Sequence, residues 1–136
     1  MPAQLYPLAR NAFLNGDLDW LVDDFKVLLL DKGRYAVNFG TDEFQSIIPA
    51  PAMIAISPSL TGKTSTAGVA DADDALTEPL GGEELVTALV VFHDSGNPAT
   101  SRLVAYTDSG IGFPLIQSGG PVLIRWSDGP TRIFVL

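Results

Sequence analysis

The stretch Leu85–Leu136 constrains the fold more than any other part of the sequence, because it reads as successive β-strands up to the last residue. Val86–His93, Arg102–Thr107, Val122–Ser127 and Arg132–Leu136 are rich in Val, Ile, Leu, Phe and Tyr, with Gly, Pro, Asp and Ser between them. Branched and aromatic side chains suit a pleated, half-buried surface, whereas the intervening residues favour turns. Ile133-Phe134-Val135-Leu136 is too apolar for a loose tail, so the carboxyl end is predicted to pair within a sheet. Val122, Ile124 and Trp126 alternate with Leu123, Arg125 and Ser127, which places the two sets on opposite faces of a strand. Asp128-Gly129 supplies a turn into the last strand.

Upstream, Phe25–Leu30 is apolar on both faces except at Lys26, the pattern of a strand inside a sheet. Gly33 marks a turn, and Arg34–Phe39 alternates well enough to predict a second strand. Thr41-Asp42-Glu43-Phe44 fits a helix start or a loop, and Pro49-Ala50-Pro51 cannot sit within a central strand. Met53–Ile56 is a short strand, Ser57–Thr66 a loop or hairpin, and Val69–Leu80 strand plus loop. Pro7–Leu14 is predicted as a short helix, with Pro7 at its first position and Gly16 just past its end. Two turns are marginal alone, so this helix must pack on the chain's own sheet or dock as an arm on a neighbouring subunit. The regular spacing of strands and turns predicts one all-β domain over residues 1–136, a β-sandwich or jelly-roll-like unit. Residues 1–20 form its N-terminal arm or short helix, and residues 21–136 the β domain.

A chain of 136 residues buries roughly two-thirds of its unfolded surface, enough for a core without covalent or metal staples. It contains no cysteine, which excludes disulfides, thiol nucleophiles and zinc–thiolate sites. Nearly all of the net charge of −8 resides in Ala36–Glu84, where Lys63 stands alone against Asp42, Glu43, Asp71, Asp73, Asp74, Glu78, Glu83 and Glu84. Binding to nucleic acid needs the opposite sign to neutralise phosphates, so that class is disfavoured. Met1–Pro7 has no basic region followed by a long apolar stretch, so no secretory signal is expected. No apolar run approaches the ~18 residues of a membrane span. The expectation is a protein made in a cytoplasm, with neither nucleic acid nor membrane as partner.

The patterns that carry chemistry are incomplete. Gly62-Lys63-Thr64 resembles the end of a phosphate-binding loop, but that motif requires glycine where Ser57 stands. Asp71, Asp73 and Asp74 could offer oxygen ligands to calcium, yet Ala75 and Leu76 occupy positions an EF-hand needs. His93, the sole histidine, is followed by Asp94 and Ser95, and adjacency along a strand end does not make three groups converge as a hydrolase triad must. No catalytic, cofactor-binding or metal residue is therefore assigned, and the chain is not expected to be an enzyme. Two apolar segments fall where turns are expected, Ile47–Met53 and Phe113–Ile116, the latter bracketed by Gly110, Gly112, Gly119 and Gly120. Such segments fold back over the core or mark a docking surface. Trp20, Trp126 and Tyr106 are the residues that could line a sugar site.

The chain resembles a family of small virion proteins of tailed bacteriophages, of the head decoration or cement type. The residues that carry the resemblance begin with Ala9–Trp20, Phe25–Asp31, Leu60–Thr64, Gly68–Asp74 and Ser101–Tyr106. They continue with Gly119–Val122, Trp126–Gly129 and Ile133-Phe134. The resemblance implies a jelly-roll or similar sandwich that binds the outside of a capsid, at junctions between major capsid protein subunits, and stabilises the head. Its implied setting is the virion surface, after assembly in a bacterial cytoplasm, and its implied state is a dimer or trimer. Contacts to capsid or partner are expected from the N-terminal segment, through Leu5, Tyr6, Leu8, Phe13, Leu14 and Trp20. The apolar loops would add Ile48, Met53, Phe113 and Leu115. The alternatives are a carbohydrate-binding β-sandwich and a tail, neck or head-fibre protein.

Overall fold

The computed structural model describes residues 3–77, 85–108, 115–116, 121–126 and 132–136. Gln4–Leu5 is a short strand, β1, followed directly by helix α1, Pro7–Leu14. Next come β2, Phe25–Leu30, and β3, Met53–Ile56. Short strands follow at β4, Thr64–Thr66, β5, Val69–Asp71, β6, Ala75–Leu76, and β7, Leu85–Val86. Then come β8, Ala88–His93, and β9, Leu103–Thr107, with β10, Leu115–Ile116, β11, Leu123–Ile124, and β12, Phe134–Val135. The chain is thus an antiparallel all-β protein with one short α-helix among the described residues.

The main sheet has the order β1-β9-β8-β2-β3, antiparallel throughout. β2 lies inside it, paired over its full length with β8 from Phe25↔His93 to Leu30↔Ala88. That position explains its apolar run: Val27, Leu28, Leu29 and Leu30 are all buried, so both faces of the strand are covered. β12, β5 and β4 form a second sheet, and β10-β7 and β11-β6 form two-stranded ribbons. The amide of Ala3 donates to the carbonyl of Ile133, which ties the β1 edge of the large sheet to the approach of β12. The carboxyl end is paired as its apolarity predicts, through Phe134↔Ala70, Val135↔Val69 and the amide of Leu136 on Gly68.

Helix α1 has Pro7 in its first turn and no side-chain cap. It ends in a Schellman arrangement: Gly16, at φ +79°, donates to Phe13, and Asp17 donates to Ala12. Ala9 and Ala12 are its buried face, flanked by half-buried Leu8 and Phe13. The helix packs near β9, and the amide of Tyr6 donates to the Val104 carbonyl.

Arg34–Phe39 departs from the predicted strand. A 3₁₀ turn occupies Lys32–Arg34, and the amides of Thr41 and Asp42 both return to the carbonyl of Asn38. Tyr35 is drawn inward by a buried hydrogen bond to Asp42, and a chain curled around that contact cannot extend as a strand. Within the described part of the predicted Val122–Ser127 strand, which excludes Ser127, the strand is Leu123–Ile124, with Ile124 inward and Leu123 outward as its alternation requires. Asp128-Gly129, Phe113 and the glycines bracketing that segment lie outside the described residues.

Candidate functional site

An aromatic cluster gathers the two ends of the chain. Phe25 at the start of β2 stacks on Phe13 of α1, with centroids 6.4 Å apart, and tilts against Trp20 at 4.8 Å. Phe134 of β12 contacts both Phe13, at 6.0 Å, and Trp20, at 5.3 Å. Trp20 is 7% exposed, and its indole N–H donates to the carbonyls of Thr64 and Asp71, at 3.0 and 3.3 Å. An otherwise costly buried N–H is thereby satisfied. Lys63 adds a further clamp. Its ammonium group donates to the Asp23 carbonyl and lies over the Trp20 and Phe25 rings, 5.8 and 5.1 Å from their centroids.

The turn between α1 and β2 rests on this cluster and alternates strictly at first: Leu18 and Trp20 point inward, Asp17 and Asp19 outward. The alternation then breaks, because Asp19 folds the chain. Its Oδ1 accepts from the amides of Leu21 and Val22, and its carbonyl accepts from Val22 and Asp23. The amide of Asp19 in turn donates to Oδ2 of Asp23, at 2.9 Å. Leu21 and Val22 are therefore held in solvent, 54% and 78% exposed, and Leu14 at the end of α1 is 79% exposed. Large aliphatic groups this exposed on a hydrogen-bonded turn form the candidate interaction surface of the molecule.

The residues expected to make contacts separate by burial. Leu5, Tyr6, Trp20 and Ile48 are buried within the chain; Leu8, Phe13 and Met53 are half-buried; Leu14 is exposed. Phe113 lies outside the described residues, and Leu115 enters as a backbone position of β10, opposite Val86. Leu21 and Val22 were not singled out by sequence. The sequence signal for them is the Asp19–Asp23 bracket, two turn-forming carboxylates around an apolar pair.

The residues of the incomplete chemical motifs face separate partners. His93 packs on Phe25, with centroids 5.6 Å apart, and its Nε2 is 4.0 Å from Oδ2 of Asp23. Asp94 is paired with Lys26 at 2.6 Å, which holds its carboxyl below the usual range and raises the lysine. Ser95 bonds within its own loop, to Asn97, Thr100 and Ser101. Asp71 pairs with Arg132 at 3.7 Å, Asp73 accepts from Thr61 at 3.4 Å, and Asp74 accepts from the Trp126 amide at 3.1 Å. Among the described residues, no group of three or more His, Asp or Glu side chains could hold a metal ion. Of the sugar-site aromatics, Trp20 and Tyr106 are buried, while Trp126 is half-buried with its indole N–H on the Asp73 carbonyl.

One buried polar cluster stands apart from the surface turn. Tyr35 donates to Oδ2 of Asp42, the hydroxyls of Tyr6 and Tyr35 are 2.9 Å apart, and the Asn38 amide also reaches Asp42 Oδ2, at 2.9 Å. Burial pushes the phenols of Tyr6 and Tyr35 well above their ordinary range, and the hydrogen bond to Asp42 raises Tyr35 further. Phe39 and Tyr106 pack around the two rings. With Tyr6, Tyr35 and Asp42 all buried, this cluster fastens the N-terminal segment to the 35–42 turn. No helix of the described residues is long and apolar enough to cross a membrane. Compared with known proteins, the chain matches no protein-family model and no curated protein.

Proposed function

We propose that the chain is a structural protein of a tailed-bacteriophage virion, which binds the outer surface of the head at junctions between major capsid subunits and stabilises the lattice. The observation that carries this reading is the exposure of Leu14 at the end of α1 and of Leu21 and Val22 on the hydrogen-bonded turn that follows, in a segment anchored by Trp20 in a locked aromatic cluster. Covering such side chains stabilises a complex by about 25 cal/mol per Å² of apolar area removed from water. A turn already held by hydrogen bonds loses little conformational freedom when it docks. The family resemblance points the same way. So do the separate engagements of His93, Asp94 and Ser95, which suit a binding role better than a chemical one. Each contact can be modest, because many copies act together on one lattice and an oligomer, a dimer or trimer in this proposal, engages several sites at once.

The test is co-sedimentation of the purified protein with expanded heads that lack it, using unexpanded proheads and unrelated heads as controls. Saturable binding to the expanded lattice alone is the expected result. Absence of binding to any head would transfer the assignment to a fibre, tail or carbohydrate-binding role.

A further inference from the structure

Two carboxylates of the exposed turn differ from most acidic side chains among the described residues. In most of the described structure acidic side chains are matched by cations: Asp94 by Lys26, Glu43 by Arg102, Asp108 by Lys32, Asp71 by Arg132 and Asp74 by Arg125. Residues 7–24 contain Asp17, Asp19, Asp23 and Asp24 against Arg10, and Lys63 brings a second cation to the Asp23 carbonyl. Asp17 and Asp24 are exposed and make no ion pair among the described residues. Lys26, the cation of the adjoining strand, is committed to Asp94. The carboxylates of Asp19 and Asp23 are occupied in shaping the turn. The segment thus combines exposed aliphatic side chains with two exposed carboxylates, Asp17 and Asp24, that have no ion pair among the described residues.

Resting on the reading of the chain as a head-binding protein, we infer that the Leu14–Asp24 turn docks on a protein surface with an apolar hollow bordered by Lys or Arg side chains, supplied by the capsid subunit. Leu14, Leu21 and Val22 enter the hollow, and Asp17 and Asp24 meet its basic border. An apolar centre supplies affinity, and a charged border of opposite sign steers encounter and fixes orientation. The second function of the border is to discourage self-association, since two copies of this face repel each other.

The experiment measures binding to the same expanded heads across a salt series, for the wild-type chain, a Leu14→Ser/Val22→Ser variant and an Asp17→Asn/Asp24→Asn variant. Thermal melts confirm that each variant is folded. The expected results are a loss of affinity of about tenfold or more for the serine variant, and wild-type binding that weakens as salt rises. The asparagine variant is expected to associate more slowly and to lose most of that salt dependence. Heads that bind wild type and both variants alike would overturn the docking face while leaving the head-binding role intact. Salt-independent wild-type binding would overturn the basic border. A self-associated species that the serine variant abolishes would show that a second copy occupies the face, and would also overturn the inference. Wild-type protein that binds no head would remove the functional reading and this inference with it.

Discussion

Tyr35 donates its phenolic hydrogen to Oδ2 of Asp42 at 2.6 Å, inside a region where Asp42 is 5% exposed. The same hydroxyl is 2.9 Å from that of Tyr6, so one tyrosine links the 35–42 turn to the N-terminal strand. Tyr35→Phe would leave a buried carboxylate short of a donor, at a cost of about 1–3 kcal/mol. Urea unfolding should show a lower midpoint with an unchanged slope. An unchanged midpoint would mean that the Asn38 amide alone satisfies Asp42.

The three tyrosines of the chain, Tyr6, Tyr35 and Tyr106, all have phenols raised by burial, that of Tyr106 to about 12 with Asp108 adding to the effect. Because folded values exceed unfolded ones, the unfolded chain loses these protons first. Their contribution is complete below about pH 10 and is lost as pH rises toward the folded values. Tyrosinate absorbance should therefore rise together with loss of near-ultraviolet circular dichroism. Ordinary titration near pH 10 in a still-folded protein would contradict the buried cluster.

Two glycines separate backbone strain from steric contact. Gly16 and Gly62 both have left-handed φ, +79° and +61°, but a Cβ at Gly16 meets open space whereas one at Gly62 would come within 2.5 Å of the Asp73 carboxylate. Gly16→Ala is expected to cost about 1 kcal/mol from conformation alone. Gly62→Ala should cost more, by the amount needed to displace Asp73 from Thr61. Equal costs in thermal or urea unfolding would show that Asp73 moves aside freely.

Phe134→Ala removes the ring that joins Phe13 to Trp20 and should cost about 3–5 kcal/mol. Trp20→Phe keeps most of the ring and loses the indole hydrogen bonds to Thr64 and Asp71, a smaller cost of about 1 kcal/mol. Calorimetric melting ranks the two. The reverse order would place the stabilisation of the turn in its polar contacts.

Pro7–Leu14, Phe25–Leu30 and Met53–Ile56 were legible in the sequence, because punctuation by Pro and Gly and sustained apolar runs fix local structure directly. Arg34–Phe39 was not: its alternation was genuine, but Tyr35 turns inward to a carboxylate seven residues away, a contact no period reveals. The strands after His93 were found with their ends overextended, since strand length depends on partners that are remote in sequence. Leu14 was named with the rest of the N-terminal segment. Leu21 and Val22 were not, because Leu18, Trp20, Leu21 and Val22 are similarly apolar and only the hydrogen bonds of Asp19 decide which two remain outside. The charge imbalance was counted by segment, yet the local excess at Asp17 and Asp24 emerged only once the ion pairs elsewhere were known.

The most direct measurement of the central claim is a cryo-electron microscopy reconstruction of expanded heads saturated with the protein. Added density at subunit junctions on the outer surface, oriented with Leu14, Leu21 and Val22 against the capsid, is the predicted result. Heads that gain no density, or bound protein whose Leu14–Asp24 turn faces solvent, would contradict it.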